Sequence, residues 1–266
     1  MLDPLQTARN LRDQDKDAEV LPLLEKAAKK YPQSAEVWTL LGLSQNRMGH
    51  DDDALSSAER ALALEPRNTV AFSAKAEALT ALKRYNAALD VCNRMAAIEP
   101  DSPQTMTSKG RVLAELGQFE AALLLYNQAL ALSPTFIPAL LSKSSLLLKL
   151  DRKPEGLMVA RSALNLKPNS VLVQTIYILA LIASEQYKEA MQLVKQAIKE
   201  NPKDFRPWAA KGAIHSQQGD MTSSSMAWSK ASALNPKNQS LKEEAKAVRK
   251  ESLQRSLGIF GKLFNN

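Results

Sequence analysis

The chain has 266 residues, of which 45% are hydrophobic and 24% charged, a composition typical of an ordinary folded protein. Its single cysteine, Cys92, excludes an intrachain disulfide, and no uncharged apolar stretch reaches the roughly 18 residues of a membrane-spanning helix. The N-terminal residues show no basic stretch followed by an apolar run, so we predict no signal peptide and expect a cytoplasmic protein.

The net charge of +7 is unevenly distributed along the chain. Residues 1–136 contain 15 basic and 18 acidic residues (net −3), whereas residues 137–266 contain 20 and 10 (net +10). A basic half suits an acidic protein surface, an anionic membrane face or nucleic acid. It also keeps a structure rich in alanine and leucine soluble, and we favour this second interpretation.

The strongest signal is a set of prolines spaced 34 residues apart: Pro32, Pro66, Pro100, Pro134, Pro168, Pro202 and Pro236. Because proline lacks an N–H and its ring clashes with a preceding helical turn, each of them marks a helix end. A period of 34 built from two helices predicts a stacked helical solenoid. The predicted units are 1–34, 35–68, 69–102, 103–136, 137–170, 171–204 and 205–238, and we number the positions within each unit as places 1 to 34.

Residue size follows the same period. Small residues recur at places 8, 20 and 27, where two helices must approach closely, and bulky residues recur at places 4 and 11 on the same helix face as place 8. Glycine at place 15 predicts the turn between the two helices of a unit (Gly49, Gly117 and Gly219). Serine at place 34 predicts a cap for the next helix (Ser34, Ser102 and Ser170).

Over residues 1–238 this pattern resembles the tetratricopeptide repeat. The resemblance implies an all-α fold, an alpha-alpha superhelix in which antiparallel helix pairs form a right-handed solenoid. It also implies a concave groove that holds a peptide or helix of another protein. Departures from the pattern are Gln174 at place 4, Ile178 at place 8 and Met95 at place 27.

Residues 239–257 are predicted to form a helix that caps the last repeat. Ser240 and Glu243 match a capping box, and Leu241, Ala245 and Val248 form one apolar stripe. We expect this helix to end at Gly258. The tail of residues 258–266 then carries four apolar side chains at the spacing of one helical face: Ile259, Phe260, Leu263 and Phe264. We rank packing within the chain or in a homodimer first, docking on a partner second, and membrane contact third, because so short a segment binds a bilayer weakly.

The groove should be lined by places 2, 5, 9, 12 and 13 of the first helices, which lie opposite their packed side. In units 5 and 6 these places carry Leu141, Leu148, Leu172, Leu179 and Ile182. We predict that this apolar patch receives the apolar face of an amphipathic helix, with Ser145 and Thr175 beside it and Arg111 and Lys149 at its edge for acidic side chains. The alternative is that the first helix of unit 6 is simply buried more deeply, for example by the C-terminus of the chain.

The lysine and asparagine residues with which co-chaperone members of the family hold a C-terminal carboxylate are absent at places 5 and 9, so we expect no such binding. Lysine recurs at place 7 (Lys75, Lys109, Lys143 and Lys211), about 160° from the groove, and we interpret these side chains as packing along the neighbouring helix. His50, His215 and Cys92 form no ligand set or nucleophile–base pair, so we predict no catalytic residue, no metal and no cofactor.

The leading functional prediction is therefore a non-catalytic scaffold for protein–protein interaction. The first alternative is binding of RNA or another anionic surface through the basic half. We disfavour nucleic acid, because RNA-reading helical repeats have a period of about 35 and polar base-reading side chains, whereas this groove contains leucine and isoleucine. The second alternative is an assembly factor for a larger complex, with only indirect or peripheral membrane contact.

Overall fold

The computed structural model describes residues 5, 6, 8 and 17–264, with side chains as far as residue 253. The described residues form fourteen α-helices and no strand. The second helix of the first unit is α1 (Asp17–Lys30). The first helices of the following units are α2 (Ala35–Met48), α4 (Thr69–Ala81), α6 (Pro103–Glu115), α8 (Ile137–Lys149), α10 (Val171–Ala183) and α12 (Phe205–Gln217). The second helices are α3 (Asp51–Leu64), α5 (Tyr85–Ile98), α7 (Phe119–Leu132), α9 (Lys153–Leu166), α11 (Tyr187–Glu200) and α13 (Met221–Leu234), and α14 (Gln239–Phe264) follows them.

The chain divides into two compact units at residue 180. The first unit, residues 1–180, contains α1 to α9 and most of α10. The second unit, residues 181–266, contains the end of α10 and helices α11 to α14. The helix order is consistent with seven predicted repeats, although the first helix of repeat 1 lies largely outside the described residues.

The periodic prolines lie in the turns that separate one helix pair from the next, as predicted. In each of these turns the residue at place 31 donates its N–H to the carbonyl at place 27, for example Glu65 to Ala61 at 2.8 Å. The side chain at place 34 then caps the next helix: Ser34 and Ser170 accept the N–H groups of Val37 and Val173. Ser102 occupies the N-cap position of α6, but its side chain makes no capping hydrogen bond, so the prediction of a side-chain cap is wrong there.

Small residues at places 20 and 27 are the points of closest helix packing. The alanines at these places are fully buried: Ala54, Ala88, Ala122 and Ala190 at place 20, and Ala61, Ala129 and Ala163 at place 27. The exception Met95 is also fully buried, in a cluster with Phe72, Cys92 and Val112. The departure at place 27 therefore fills the core of repeat 3 with a flexible side chain.

The last helix differs from the prediction at both ends. Its N-terminal cap is Asn238, whose side chain accepts the N–H of Leu241 at 3.1 Å, so Ser240 lies inside the helix and forms no capping box. The helix continues through Gly258 to Phe264, because an interior glycine costs a helix only about 1 kcal/mol. Leu241 and Val248 are buried, and α14 packs on α13, as expected for a cap of the last repeat.

Candidate functional site

Adjacent first helices of the first unit lie side by side. Helices α2, α4, α6 and α8 contact one another in sequence. Glu77 and Arg111, both at place 9 and 34 residues apart, form an ion pair with 2.6 Å between Glu77 Oε1 and Arg111 Nη2. The same place in neighbouring repeats therefore faces one continuous surface, which we call the first-helix surface.

Only part of the predicted lining is open on this surface. Place 5 is buried in repeats 2 to 5, where it carries Thr39, Ser73, Thr107 and Leu141. The reason is that place 5 lies in the seam between neighbouring helices. Ser73 is within 3.0 Å of Ser108 of the next repeat and also accepts a hydrogen bond from Gln104. Places 2, 9 and 13 are left as the more exposed positions.

Two of the five predicted apolar groove residues are buried, and a third is covered in part by the second helix of its own repeat. Leu141 retains 8% of its exposure, and Ile182, which belongs to the second unit, retains 9%. Leu148 is half-buried against Gly156, where a Cβ would lie 2.8 Å from Leu148 Cδ2. The prediction that the side chain faces water is wrong for Leu141 and Ile182, because places 5 and 12 lie closer to the packed side in these repeats than an ideal helical projection indicates.

The remaining apolar pair lies on α10. Leu179 is 40% exposed, and Leu172 is half-buried against a cluster that contains Leu140, Leu141 and Val173. Thr175 lies between them, half-buried, with its hydroxyl donating to the carbonyl of Val171 at 2.7 Å. These places recur every three or four residues and so share one helix face. We call Leu172, Thr175 and Leu179 the α10 stripe.

The predicted cations at the edge of the site already have acidic neighbours. Arg111 is paired with Glu77, and Lys149 Nζ lies 3.9 Å from Glu115 Oε1 and 5.5 Å from the ring centre of Phe119. Burial opposes ionisation of Glu77, but the charge and hydrogen bond of Arg111 outweigh it and lower the pKa of the carboxyl. Arg111 therefore stabilises the contact between repeats 3 and 4, and an acidic partner would have to compete with Glu77 for it.

Ser145 is exposed on α8 in the repeat before the α10 stripe. It occupies place 9, like Glu77, Arg111 and Leu179, and so belongs to the first-helix surface. The tail residues Ile259, Phe260, Leu263 and Phe264 lie outside the described side chains, so the tail contacts stay a prediction.

Two of the four place-7 lysines contact the preceding second helix, as predicted. Lys75 Nζ lies 2.9 Å from Glu59 Oε1, and Lys109 donates to Asn93 Oδ1 at 3.4 Å. Glu59 and Asn93 both occupy place 25 of the preceding repeat. The same register brings Arg161 to Tyr177 at 3.3 Å.

Sequence reasoning missed a second contact between repeats. Trp38 at place 4 donates its indole N–H to the carbonyl of Pro32 at 2.9 Å, and Gln174 at place 4 donates to the carbonyl of Pro168 at 2.8 Å. In both cases the acceptor is the carbonyl of the periodic proline. The signal available in the sequence was that Trp and Gln both carry a side-chain N–H group that can reach the carbonyl of the preceding proline.

The described residues contain no group of three or more His, Cys, Asp or Glu side chains that could hold a metal ion. Cys92 is fully buried, and burial raises the pKa of its thiol to about 12, so it has no thiolate character near neutral pH. No helix among the described residues is long and apolar enough to cross a membrane.

Helix pairs that repeat every 34 residues define a helical-repeat protein. Two family models of the tetratricopeptide repeat match residues 47–105 and 103–136. The chain contains tetratricopeptide repeats over these residues, and its fold is the predicted all-α superhelix. Comparison with curated proteins gives no match.

Two solved structures illustrate the likeness. A tetratricopeptide repeat protein from Parabacteroides merdae is 18% identical, with a TM-score of 0.60 over 92% of this chain and 97% of that chain. A thermophilic tetratricopeptide repeat protein of Thermus thermophilus is 27% identical, with a TM-score of 0.58 over 67% of this chain and 97% of that chain. Repeats of this family are in general scaffolds for protein–protein interaction and typically non-catalytic.

Proposed function

We propose that this chain is a scaffold that binds a peptide or an amphipathic helix of a partner protein on its first-helix surface, at the α10 stripe. The observation that carries the proposal is the 40% exposure of Leu179 beside the half-buried Leu172. Two leucines on one helix face form the start of an apolar patch, and such patches mark contact sites. Leu172 and Leu179 lie seven residues apart, about 10 Å along the helix, which matches two turns of a partner helix.

The charges beside the α10 stripe support a partner helix that carries charged side chains along one edge. The ion pairs Glu77–Arg111 and Glu115–Lys149 alternate in sign across repeats 3 to 5. A partner helix that lay along the α10 stripe would meet Ser145 and then Lys149 at its edge. An acidic residue of the partner at that edge would replace Glu115, whose separation from Lys149 is long for an ion pair at 3.9 Å.

A charge placed on the α10 stripe tests the proposal. Leu179→Glu should abolish capture of the partner from an extract of the native host, because a carboxylate cannot be buried against an apolar helix face without a large penalty. Leu166→Glu is the matched control, since Leu166 is 44% exposed but lies on the second helix of its repeat. Partners identified by mass spectrometry should be lost with Leu179→Glu alone, and their binding should then be reproduced with the purified proteins.

Two outcomes would contradict the proposal. Equal capture by wild type and Leu179→Glu would show that the α10 stripe is not the contact. Equal loss with Leu166→Glu would point to the second-helix face or to a general effect of charge. The melting temperature of each variant, measured by circular dichroism, separates loss of binding from loss of folding.

The tail supports a separate proposal of self-association. Deletion of residues 258–266 should convert a homodimer to a monomer if the apolar residues there join two copies. Light scattering at several concentrations measures the mass directly. A mass that is the same with and without the tail would remove the dimer and leave the partner proposal intact.

A further inference from the structure

The second unit carries most of the net charge of the chain. Residues 181–266 contain 14 basic and 8 acidic residues, a net of +6, whereas residues 1–180 contain 21 and 20, a net of +1. The excess in the second unit is not spread evenly. Four residues at helical spacing on α11 form one exposed stripe, which we call the α11 stripe: Lys188, Gln192, Lys195 and Lys199.

These four residues fall within about 60° of one another around the helix and span about 16 Å along it. The acidic residues of the same helix, Glu189 and Glu200, lie roughly a third of a turn away. Among the described residues, no acidic side chain forms an ion pair with Lys188, Lys195 or Lys211. This contrasts with Lys75 and Lys149 of the first unit, which lie beside Glu59 and Glu115.

The repeat register explains why this junction is uncompensated. Place 25 of one repeat meets place 7 of the next, as in Glu59 with Lys75 and Asn93 with Lys109. At the junction of repeats 6 and 7 the same two places hold Lys195 and Lys211. Like charges replace a complementary pair, and Lys211 instead lies with its Nζ 5.4 Å from the ring centre of Trp208.

A shallow cleft of about 380 Å³ adjoins the stripe, between α11 and the residue that follows α12. Its lining combines cations, amides and apolar groups: Tyr187, Lys188, Met191, Gln192, Lys195 and Gln218. Amide side chains both donate and accept hydrogen bonds, so Gln192 and Gln218 can pair with both groups of a peptide backbone. A phosphodiester backbone only accepts.

We infer that this cleft and the α11 stripe bind an acidic segment of a partner protein, at a second site distinct from the α10 stripe. The lysines supply the charge for carboxylates, the two amides read the backbone, and Met191 receives an apolar side chain. Nucleic acid fits the lining less well. Tyr187 is the only aromatic residue in the cleft and is half-buried, whereas single-stranded nucleic acid is bound by successive aromatic stacking platforms.

Fluorescence anisotropy with the full chain tests the inference. The probe is a fluorescein-labelled peptide of three Glu-Glu-Leu-Ser repeats, its neutral counterpart has Gln in place of Glu, and the competitor is an oligo(U) of equal charge. We expect binding of the acidic probe that weakens with salt, since exposed charges are screened. Lys188→Glu with Lys195→Glu should weaken binding at least tenfold. Lys83→Glu with Lys167→Glu, two exposed lysines of the first unit, should change it less than twofold.

A second readout locates the probe. In a ¹⁵N spectrum the side-chain amides of Gln192 and Gln218 should shift on addition of the acidic peptide, and the amide of Gln128 on α7 should not. If the glutamate variants lose helicity, Lys188→Gln with Lys195→Gln replaces them in the test. We then expect the affinity for the acidic probe to fall several-fold. Four outcomes would each overturn the inference. The acidic probe does not bind, or the neutral peptide binds equally well. Both pairs of variants lose binding equally, or oligo(U) displaces the probe at a lower concentration than the unlabelled peptide does.

Discussion

Each turn within a described helix pair places one residue in the left-handed region of φ. Place 15 has a φ between 59° and 80° in all six repeats described there: Gly49, Lys83, Gly117, Asp151, Glu185 and Gly219. Glycine adopts this conformation without strain, whereas a side chain raises its energy by roughly 1–2 kcal/mol. The three glycines predicted these turns, and the same turn persists in repeats 3, 5 and 6 because the flanking helices impose it.

Replacing Lys83 by glycine should therefore stabilise the protein. The gain from the relieved backbone is partly offset by the greater freedom of glycine in the unfolded chain, so we expect roughly 0.5 kcal/mol. Gly117→Ala should cost about 1 kcal/mol, purely from backbone strain, because nothing lies within 4 Å of the added Cβ. Urea unfolding measures both. A lower midpoint for Lys83→Gly would contradict the argument.

A second prediction at this scale concerns residue size at places 8 and 24. A Cβ on Gly110 would lie 2.6 Å from Tyr126 Cε1, and Tyr126 is only 1% exposed, so its ring has little room to move. Gly110→Ala should destabilise the protein by about 1–3 kcal/mol through overpacking. Repeat 3 holds Ala76 and Cys92 at the same two places.

Tyr126→Cys should therefore couple favourably to Gly110→Ala. We expect the double variant to be more stable than the sum of the two single effects predicts, measured by urea unfolding of all four proteins. Simple additivity would show that Tyr126 is not the group against which the added methyl packs.

At the scale of the helix, side-chain hydrogen bonds at place 4 join two pairs of neighbouring repeats. The side chain at place 4 of one repeat donates to the carbonyl of the proline of the preceding repeat, from Trp38 and from Gln174. Gln174 departs from the bulky pattern of the family and still makes the same hydrogen bond. Trp208, at place 4 of repeat 7, carries the same donor but finds no hydrogen-bond partner among the described residues, so the bond is a feature of repeats 2 and 6.

Gln174→Leu should cost about 1 kcal/mol, the typical net value of a hydrogen bond whose carbonyl partner is left without it. Gln128→Leu is the control, since Gln128 is exposed on the second helix of repeat 4. Thermal unfolding of the two variants compares them directly. Equal melting temperatures would show that the bond to Pro168 contributes nothing measurable.

The Glu77–Arg111 pair predicts a pH dependence for the contact between α4 and α6. Because the pKa of Glu77 is lower in the folded state than its usual 4.5, the stabilisation is complete above that value and is lost as pH falls below it. The difference in unfolding free energy between wild type and Glu77→Gln should therefore be largest near neutral pH and shrink below about pH 4.5. Urea unfolding at several pH values measures this, and a difference independent of pH would exclude the pair as its origin.

At the scale of the whole molecule, a helical repeat protein is stabilised by each repeat and by its contacts with immediate neighbours. Cys92 reports on this coupling in repeat 3. It is fully buried, and Val112 of repeat 4 belongs to the same core cluster. Its thiol, with a pKa of about 12, reacts with alkylating reagents only when repeat 3 opens.

Gly110→Ala in repeat 4 should speed alkylation of Cys92 more than Gly212→Ala in repeat 7. Both substitutions place a methyl group against the aromatic ring at place 24, since a Cβ on Gly212 would lie 2.7 Å from the ring of Trp228. Trp228 is half-buried whereas Tyr126 is fully buried, so the two rates are compared after correction for the loss of stability that urea unfolding measures for each variant. Mass spectrometry of alkylation at pH 8 gives both rates. Equal acceleration would show that the chain opens as one cooperative body.

The sequence by itself determined the period, the helix order and the points of closest packing. Proline and glycine act on the backbone of their own turn. The burial of a small residue such as Ala54 follows from its place at the contact between the two helices of one repeat. These are local rules, so Pro66 and Gly117 predicted their turns without any knowledge of the neighbouring repeats. The family resemblance added the fold class.

Tertiary structure decided which side chains of the first helices remain open. Leu141 and Leu179 both occupy predicted groove places, yet one is 8% exposed and the other 40%. Leu141 is covered by its neighbours in the core cluster and Leu179 is not, and this depends on the tilt and spacing of helices that are 34 residues apart in sequence. The pairing of Arg111 with Glu77 has the same origin, because a single repeat contains only one of the two charges.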